Sequence, residues 1–320
     1  MRALSLGNLL FAFAPVLGLC QAPAFAPPED LNYRRVDILS EGTRMSGELY
    51  SPRSATGKLP AIVMAHGWGG TAAGLRRDAV QFAKAGYLVL AFDYRGWGES
   101  DSRVILLAPE PKEHPNGRFT AEVREVREVV EPIDMAIDWF NAIHWLQDES
   151  LYDGKNLGLW GSSFSGGLVV YVAERDHRVK AIHSQVGAMD GRTVVTDEAG
   201  RKRVYAESTA MARGQMGFPE PGVKAIGGLR GAPVYSQFVI YEPVEDVNKA
   251  LVQNCAMQFL IAEKEDLFDN RDHAIKAHAM YKGPKNLVKV PGITHYGIYG
   301  TAFNQAHELA EKWFDRYLKR

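Results

Sequence analysis

Short aliphatic and β-branched runs alternating with helix-spaced segments are the feature that most limits what this chain can fold into. "LPAIVMAHG" and "YLVLAFDYRG" are continuous apolar runs, the pattern of strands buried on both faces. Between them, "AAGLRRDAVQFAKAG" has helical spacing and stops at Gly86, where a C-terminal glycine belongs. "NLGLWG", "VKAIHSQVG", "AMQFLIAE" and "NLVKVPG" read as further strands, interleaved with helical "SGGLVVYVAERD", "NRDHAIKAHAMYKG" and "FNQAHELAEKWFDRYLKR". Repeated alternation of this kind demands a mostly parallel sheet with helices on both faces. Ahead of it, "YRRVDILSEG" and "TRMSGELYSP" read as a hairpin whose arms are divided by Glu41 and Gly42.

Three stretches need separate treatment. Phe119 to Glu149 reads as a long helical region, with apolar Val123, Val126, Val130, Ile133, Ile137 and Phe140, kinked or split at Pro132. "RVILLAPEPKEHPNGR" is a small interruption after the strand ending at Asp93. From about Asp190 to Ala250 the alternation fails; "GQMGFPEPG", "GGLRGAP" and a helix near Tyr205 to Arg213 occupy the gap. So long a stretch between two core strands reads as a cap or lid insertion. The expected organisation is one α/β domain over residues 27–320, with the cap at about 190–250.

The first 26 residues differ from the rest. Arg2 is their only charge, an apolar run covers Leu9 to Leu19, and Ala24-Phe25-Ala26 is a small-x-small cleavage site. This is the pattern of a secretory signal peptide, and the run is shorter than the roughly 20 residues a bilayer span needs. A periplasmic or secreted product, without stable membrane insertion after cleavage, is expected. Lipidation at Cys20 is disfavoured by the bulky Leu19 before it. Cleavage would leave Cys255 as the single cysteine, excluding an intramolecular disulfide. Its apolar setting, "NCAMQFLIA", suits a packed thiol. With 37 Lys and Arg against 38 Asp and Glu, and no long basic block, neither nucleic acid nor an anionic membrane is expected as the main partner.

Gly161-Ser162-Ser163-Phe164-Ser165-Gly166 follows a short apolar strand and opens a helix, the context required of the nucleophile elbow G-x-S-x-G. A serine there projects its hydroxyl into the crevice above the sheet, where open α/β folds bind ligands. Ser163 alone has small residues two before and two after, although Ser165 stands where glycine is usual. The plainer reading is a helix N-cap by one of these serines. A serine hydroxyl is a weak nucleophile at neutral pH and needs a base, itself oriented by a carboxylate. In this chain order the acid follows the next-to-last strand and the histidine the last.

Of nine histidines, His295 in "LVKVPGITHYGIYG" is the one after the final strand. His66 is expected to brace its loop, and His273 and His278, five apart, do not share a helix face. "AMQFLIAEKEDLFDN" offers Glu263, Glu265, Asp266 and Asp269 as the acid. The usual pattern G-x-K-D-P-L-V, laid ungapped from Ala262, puts Glu265 in that position; Asp266 beside it is the commoner residue type. "AHGWGGT" supplies backbone amides for an oxyanion, with Trp68 as one donor and Phe164, after the serine, as the other. No metal-ligand spacing such as His-Glu-x-x-His or paired cysteines is present.

Together "HGWGG", "FDYRGWGES", "GSSFSGG", "AEKEDLF" and "GITHYGIY" resemble the α/β-hydrolase fold, in its dienelactone-hydrolase-like and Xaa-Pro-peptidase-like branches, from about Tyr33 to the C-terminus. The resemblance implies an eight-stranded, mostly parallel sheet and hydrolysis without metal or organic cofactor. It implies Ser163 as nucleophile, His295 as proton shuttle, Glu265 or Asp266 as its partner, and Trp68 and Phe164 as oxyanion donors. Haloalkane dehalogenases carry aspartate, and dienelactone hydrolases proper cysteine, where this chain has Ser163. A small-molecule ester or thioester is therefore the expected substrate. Phe218, Tyr235, Phe238 and Tyr241 would line an acyl or alcohol pocket or form the cap's own core, and Trp97 would pack. A peptidase or amidase on the same residues, and a non-catalytic binding scaffold, are the competing readings; covalent labelling by a fluorophosphonate and ester-against-anilide turnover separate them.

Overall fold

The computed structural model describes residues 25–195, 197–224 and 228–319, so residues 1–24 of the expected leader lie outside the described residues. In chain order the strands are β1 Leu31–Ser40, β2 Thr43–Pro52, β3 Leu59–Ala65, β4 Leu88–Phe92, β5 Arg103–Leu106, β6 Val123–Val126, β7 Val129–Val130, β8 Tyr152–Ser162, β9 Val179–Gln185, β10 Ala232–Pro233, β11 Ala256–Ala262 and β12 Lys285–Val290. The α-helices are α1 Arg76–Lys84, α2 Pro132–Gln147, α3 Phe164–Ala173, α4 Glu198–Ala212, α5 Tyr235–Phe238, α6 Pro243–Asp246, α7 Ala274–Met280 and α8 Phe303–Leu318.

Eight strands form the main sheet in the order β1-β2-β4-β3-β8-β9-β11-β12. From β4 to β12 the neighbours pair in parallel, while β2 runs antiparallel to both β1 and β4. The β1-β2 turn places Glu41 at φ 47 and Gly42 at φ 79, so both central residues have the positive φ that a two-residue hairpin matching strand twist requires. Period-two alternation divides the core. Ala61, Val63 and Ala65 of β3 face a cluster with Met135 and Trp139 of α2 and Leu168 of α3, whereas Ile62 and Met64 face Phe82 of α1 and Phe314 of α8. Because both faces are covered, the runs that fill these strands are apolar without interruption. No helix among the described residues is long and apolar enough to cross a membrane.

The expected helix over Phe119 to Glu149 is a correction. Only Pro132–Gln147 is helical, and Pro132 occupies its first turn instead of kinking its middle. That turn needs no proline N–H, so the residue starts a helix more readily than it interrupts one. Upstream, β6 pairs antiparallel with β5, β7 pairs with β10, and Glu128 between them has φ 56. The valines at 123, 126 and 130 have helical spacing, but their β-branched side chains serve two small sheets.

Between β9 and β11 the chain folds into α4, β10, α5, α6 and short 3₁₀ turns. The helix expected near Tyr205 to Arg213 is longer, starting at Glu198, where the Asp197 side chain caps it by accepting from the Gly200 amide. Phe25, the one aromatic residue of the expected leader that is described, packs against Tyr33 and Tyr50 and beneath the Arg76 guanidinium.

Candidate active site

Ser163 stands between β8 and α3 with φ 59 and ψ −125, a conformation that costs a non-glycine residue roughly 1–3 kcal/mol and must be held by its surroundings. They do hold it. Its amide donates to Gln185 O at 2.8 Å, and its carbonyl accepts from Gly166 N at 2.9 Å and Ala188 N at 3.2 Å. Space around the turn is minimal: a Cβ on Gly161 would lie 2.3 Å from Ser165 O, and one on Gly67 2.9 Å from Ser163 Cβ. The serine that replaces the usual glycine at 165 is fully buried, with its hydroxyl 3.2 Å from the Tyr94 hydroxyl. A small polar side chain therefore fits there without opening the turn.

Ser163 occupies the N-cap position of α3, yet its side chain caps no helix amide. Its Oγ lies instead 2.9 Å from His295 Nε2. His295 opens a short 3₁₀ turn after β12, and its Nδ1 is 2.9 and 3.0 Å from the two carboxylate oxygens of Glu265. A carboxylate only accepts, so Nδ1 carries the ring proton and Nε2 is left bare to accept from the serine hydroxyl. Both side chains are nearly excluded from water, at 1% and 3% exposure, which strengthens the pairing.

Asp266 is placed differently. Its Oδ1 accepts the backbone amide of His295 at 3.1 Å, so it tethers the loop and not the imidazole. Residues 265 and 266 thus hold the same histidine by ring and by backbone. Glu263 pairs with Lys289 and Asp269 with Arg271, both at the surface.

The remaining sequence candidates distribute as follows. Phe164 is the first residue of α3, where helix amides have no intrahelical acceptor. Trp68 lies in the loop after β3, its indole N–H donating to Gly231 O at 3.0 Å and its ring against Phe164 and Phe238. Phe238 and Tyr241 are buried and both pack on Phe164, with Tyr235 touching Phe238. Phe218 is elsewhere, in a cluster with Val126, Val129 and Val234. Trp97 is buried and donates to Val129 O at 3.1 Å.

His66 is buried beside its own loop, with Nδ1 2.9 Å from Gly67 O and Nε2 3.8 Å from Asp93. Burial pulls its pKa down to about 4, so it is neutral at any ordinary pH. Asp93 in turn accepts the amides of Ala72 and Glu99 at 2.6 and 3.0 Å, closing the loop around it. Burial pushes the Cys255 thiol up to about 12, which suits an inert packed side chain.

Two contributors escaped sequence reasoning. Phe268 stands edge-on to both His295 and His273, at 5.7 and 4.7 Å between ring centroids. His273 Nδ1 accepts the Met189 amide at 2.9 Å, tying the loop after β9 to the wall behind His295. Only the proximity of an aromatic residue to the acid in "EDLF" hinted at that wall.

Residues 41–210 match the X-Pro dipeptidyl-peptidase (S15) family. An uncharacterized 31.7 kDa protein of the traX-finO intergenic region of Escherichia coli is 26% identical over 300 residues, covering 82% of this chain and 92% of that one. A thiohydrolase, aneE, of Aspergillus aculeatus is 32% identical over 158 residues, 49% of this chain and 42% of the relative. Among solved structures, the hypothetical protein PA2218 of Pseudomonas aeruginosa superposes with a TM-score of 0.71 at 19% identity, covering 92% and 96% of the two chains. The family match spans more than half of the sequence and the eight-stranded sheet agrees with it, so the chain belongs to the X-Pro dipeptidyl-peptidase (S15) family, within the α/β hydrolases.

Proposed function

We propose that this hydrolase is an exported serine esterase that cleaves small carboxylic esters through an acyl-enzyme on Ser163. The observation that carries the reading is the unbroken hydrogen-bond line from Glu265 through His295 to a strained Ser163 that caps nothing. In the forward step His295 Nε2 takes the hydroxyl proton as Ser163 Oγ bonds to the substrate carbonyl carbon. The carbonyl oxygen becomes an oxyanion, received by the Trp68 and Phe164 amides. Collapse breaks the carbon–oxygen bond to the alcohol, which leaves with the proton from His295; a water molecule, deprotonated by the same imidazole, then releases the acid.

Glu265 keeps the imidazole in the working tautomer and stabilises its cation; Asp266 holds the loop that carries it. The segment at about 190–250 acts as the cap, since Phe238 and Gly231 contact the Trp68 loop directly. Export rests on the leader pattern of residues 1–26. The relative named a thiohydrolase fits an acyl-transfer site of this kind.

The family match favours a second reading, amide cleavage on the same three residues. Ester cleavage is the smaller claim, because an amine leaves only when protonated and a site that achieves this also hydrolyses activated esters. The test is fluorophosphonate labelling of the purified mature chain, followed by turnover of p-nitrophenyl esters against X-Pro anilides. Labelling at Ser163 with ester turnover at least tenfold above anilide turnover is expected; folded protein that does not label would reject the serine chemistry altogether.

A further inference from the structure

Two small-x-small triplets overlap at the end of the leader pattern, Ala22-Pro23-Ala24 and Ala24-Phe25-Ala26. They differ in the bond that each offers for cleavage. The second offers Ala26–Pro27, whose nitrogen carries no hydrogen and is crowded by its own ring. A peptidase would have to expel that hindered ring nitrogen as its leaving group. The first offers Ala24–Phe25, an ordinary secondary amide.

Phe25 is also part of the folded domain, partly buried against the core cluster that holds Tyr50 and Phe82. Its ring stands edge-on to Tyr33 of β1 at 5.2 Å and to Tyr50 of β2 at 6.2 Å between centroids, and the Arg76 guanidinium of α1 lies 4.6 Å from its centre. Those three residues are donors to one carboxylate. Arg76 Nε is 3.1 and 3.0 Å from the two oxygens of Glu48, and both tyrosine hydroxyls donate to it. Glu48 is itself buried. The ring thus covers a buried ion pair, where exclusion of water strengthens both the charge-assisted hydrogen bonds and the cation–π contact.

The link from this ring to the sheet is stiff. Pro27 and Pro28 fix their own φ, the Pro28 carbonyl accepts the Leu31 amide at 3.0 Å, and the Asp30 carbonyl accepts the Arg53 amide at 2.9 Å. Ordering Phe25 therefore adds little entropy cost to the ordering of β1. Cleavage after Ala26 would strip the ring from the protein and open the three donors to water.

Building on the reading of residues 1–26 as an export leader, we propose that processing hydrolyses the Ala24–Phe25 bond, so that the mature protein begins with Phe25 and its ring seals the Glu48–Arg76 pair. The co-reactant is a leader peptidase that accepts small residues at the first and third positions before the bond. Water adds across the amide: its oxygen bonds to the Ala24 carbonyl carbon, the bond to the Phe25 nitrogen breaks, and that nitrogen takes a proton to become the α-amino group.

The test expresses the full chain in a Gram-negative host and reads the intact mass and N-terminal sequence of the product recovered outside the cytoplasm. Phe25 is expected as the first residue, both in wild type and in Ala26→Leu, which destroys only the second triplet. A product beginning at Pro27, or a lipid-bearing product beginning at Cys20, overturns the proposal while keeping export. A chain that stays in the cytoplasm with its leader uncleaved overturns the export reading and this proposal together. Exported Phe25→Ala, verified by mass to start at position 25, is expected to melt about 3 °C or more below wild type. An unchanged melting temperature overturns the role given to the ring.

Discussion

Two helices of this protein make a useful contrast. In α3, which begins beside Ser163, every residue from Phe164 to Ala173 except Tyr171 is buried. In α4, within the segment between β9 and β11, only Gly200 and Val204 are buried. The first helix is apolar all round, so it is stable only inside the protein; the second is polar on most faces and depends on its Asp197 cap and a few contacts. Burial is concentrated where Ser163 is held at positive φ. Looseness belongs to α4 itself, since Phe238, Tyr241, Val244 and Val247 of the same segment are buried in the main core.

The sharpest way to probe the buried side is Ser163→Ala. Ester turnover is expected to fall by roughly 10⁴-fold or more, with the thermal transition nearly unmoved, because a methyl group fits where the hydroxyl stood. Retention of turnover would move the nucleophile elsewhere. Glu265→Gln should follow, at about 10³- to 10⁴-fold in kcat, since the amide no longer fixes the ring tautomer. Asp266→Asn, which touches only the His295 amide, should cost about tenfold or less. Reversal of that order in steady-state kinetics would exchange the roles of the two acids.

Packing provides the next contrast. A Cβ at Gly167 of α3 would lie 1.7 Å from Ala188 O, so Gly167→Ala must displace either the helix or the loop after β9. A destabilisation of ~3 kcal/mol in urea is expected. Tyr205→Ala on α4, where the side chain is 58% exposed, should stay within about 0.5 kcal/mol of wild type. Equal effects would mean that α4 is part of the core after all.

The smallest expected effect concerns charge at the end of α3. Glu174 has a side chain with 0% exposure beside Arg175, and burial pushes its pKa from 4.5 up to about 8. A raised carboxyl pKa means the folded state binds the extra proton. Its contribution is full below the unfolded value and is lost as pH rises through the folded one. Glu131, raised to about 7 by burial, acts in the same sense. The melting temperature should therefore carry a downward slope between about pH 5 and about pH 8, and Glu174→Gln should flatten part of it. A slope unchanged in the variant would locate the titration at other groups.

Much of this could be read before any coordinates. Continuous apolar strands, the glycine after α1 and the serine turn each follow local rules, because a strand buried on two faces has few compatible sequences. Phe119 to Val130 could not be read that way. Valines spaced for a helix also suit small β-ladders, and partners distant in sequence decide between the two. That Ser163 and His295 would meet was an expectation from order along the chain, and their side chains lie 2.9 Å apart. The distinct placements of Glu265 and Asp266 were not, since adjacent residues differ only in the direction their side chains take from one turn.

The sequence by itself determined the parallel sheet, the placement of a serine at a strand-to-helix turn, and a histidine and two acids after the last strands. Their spacing along the chain is set by local periodicity and turn chemistry. Only the tertiary structure decided which oxygen meets which nitrogen: Glu265 at the imidazole, Asp266 at the backbone, Tyr299 turned inward to Ser162. Those pairings join residues more than twenty positions apart, and hydrogen bonds act over about 3 Å, so sub-ångström packing of separate elements settles them.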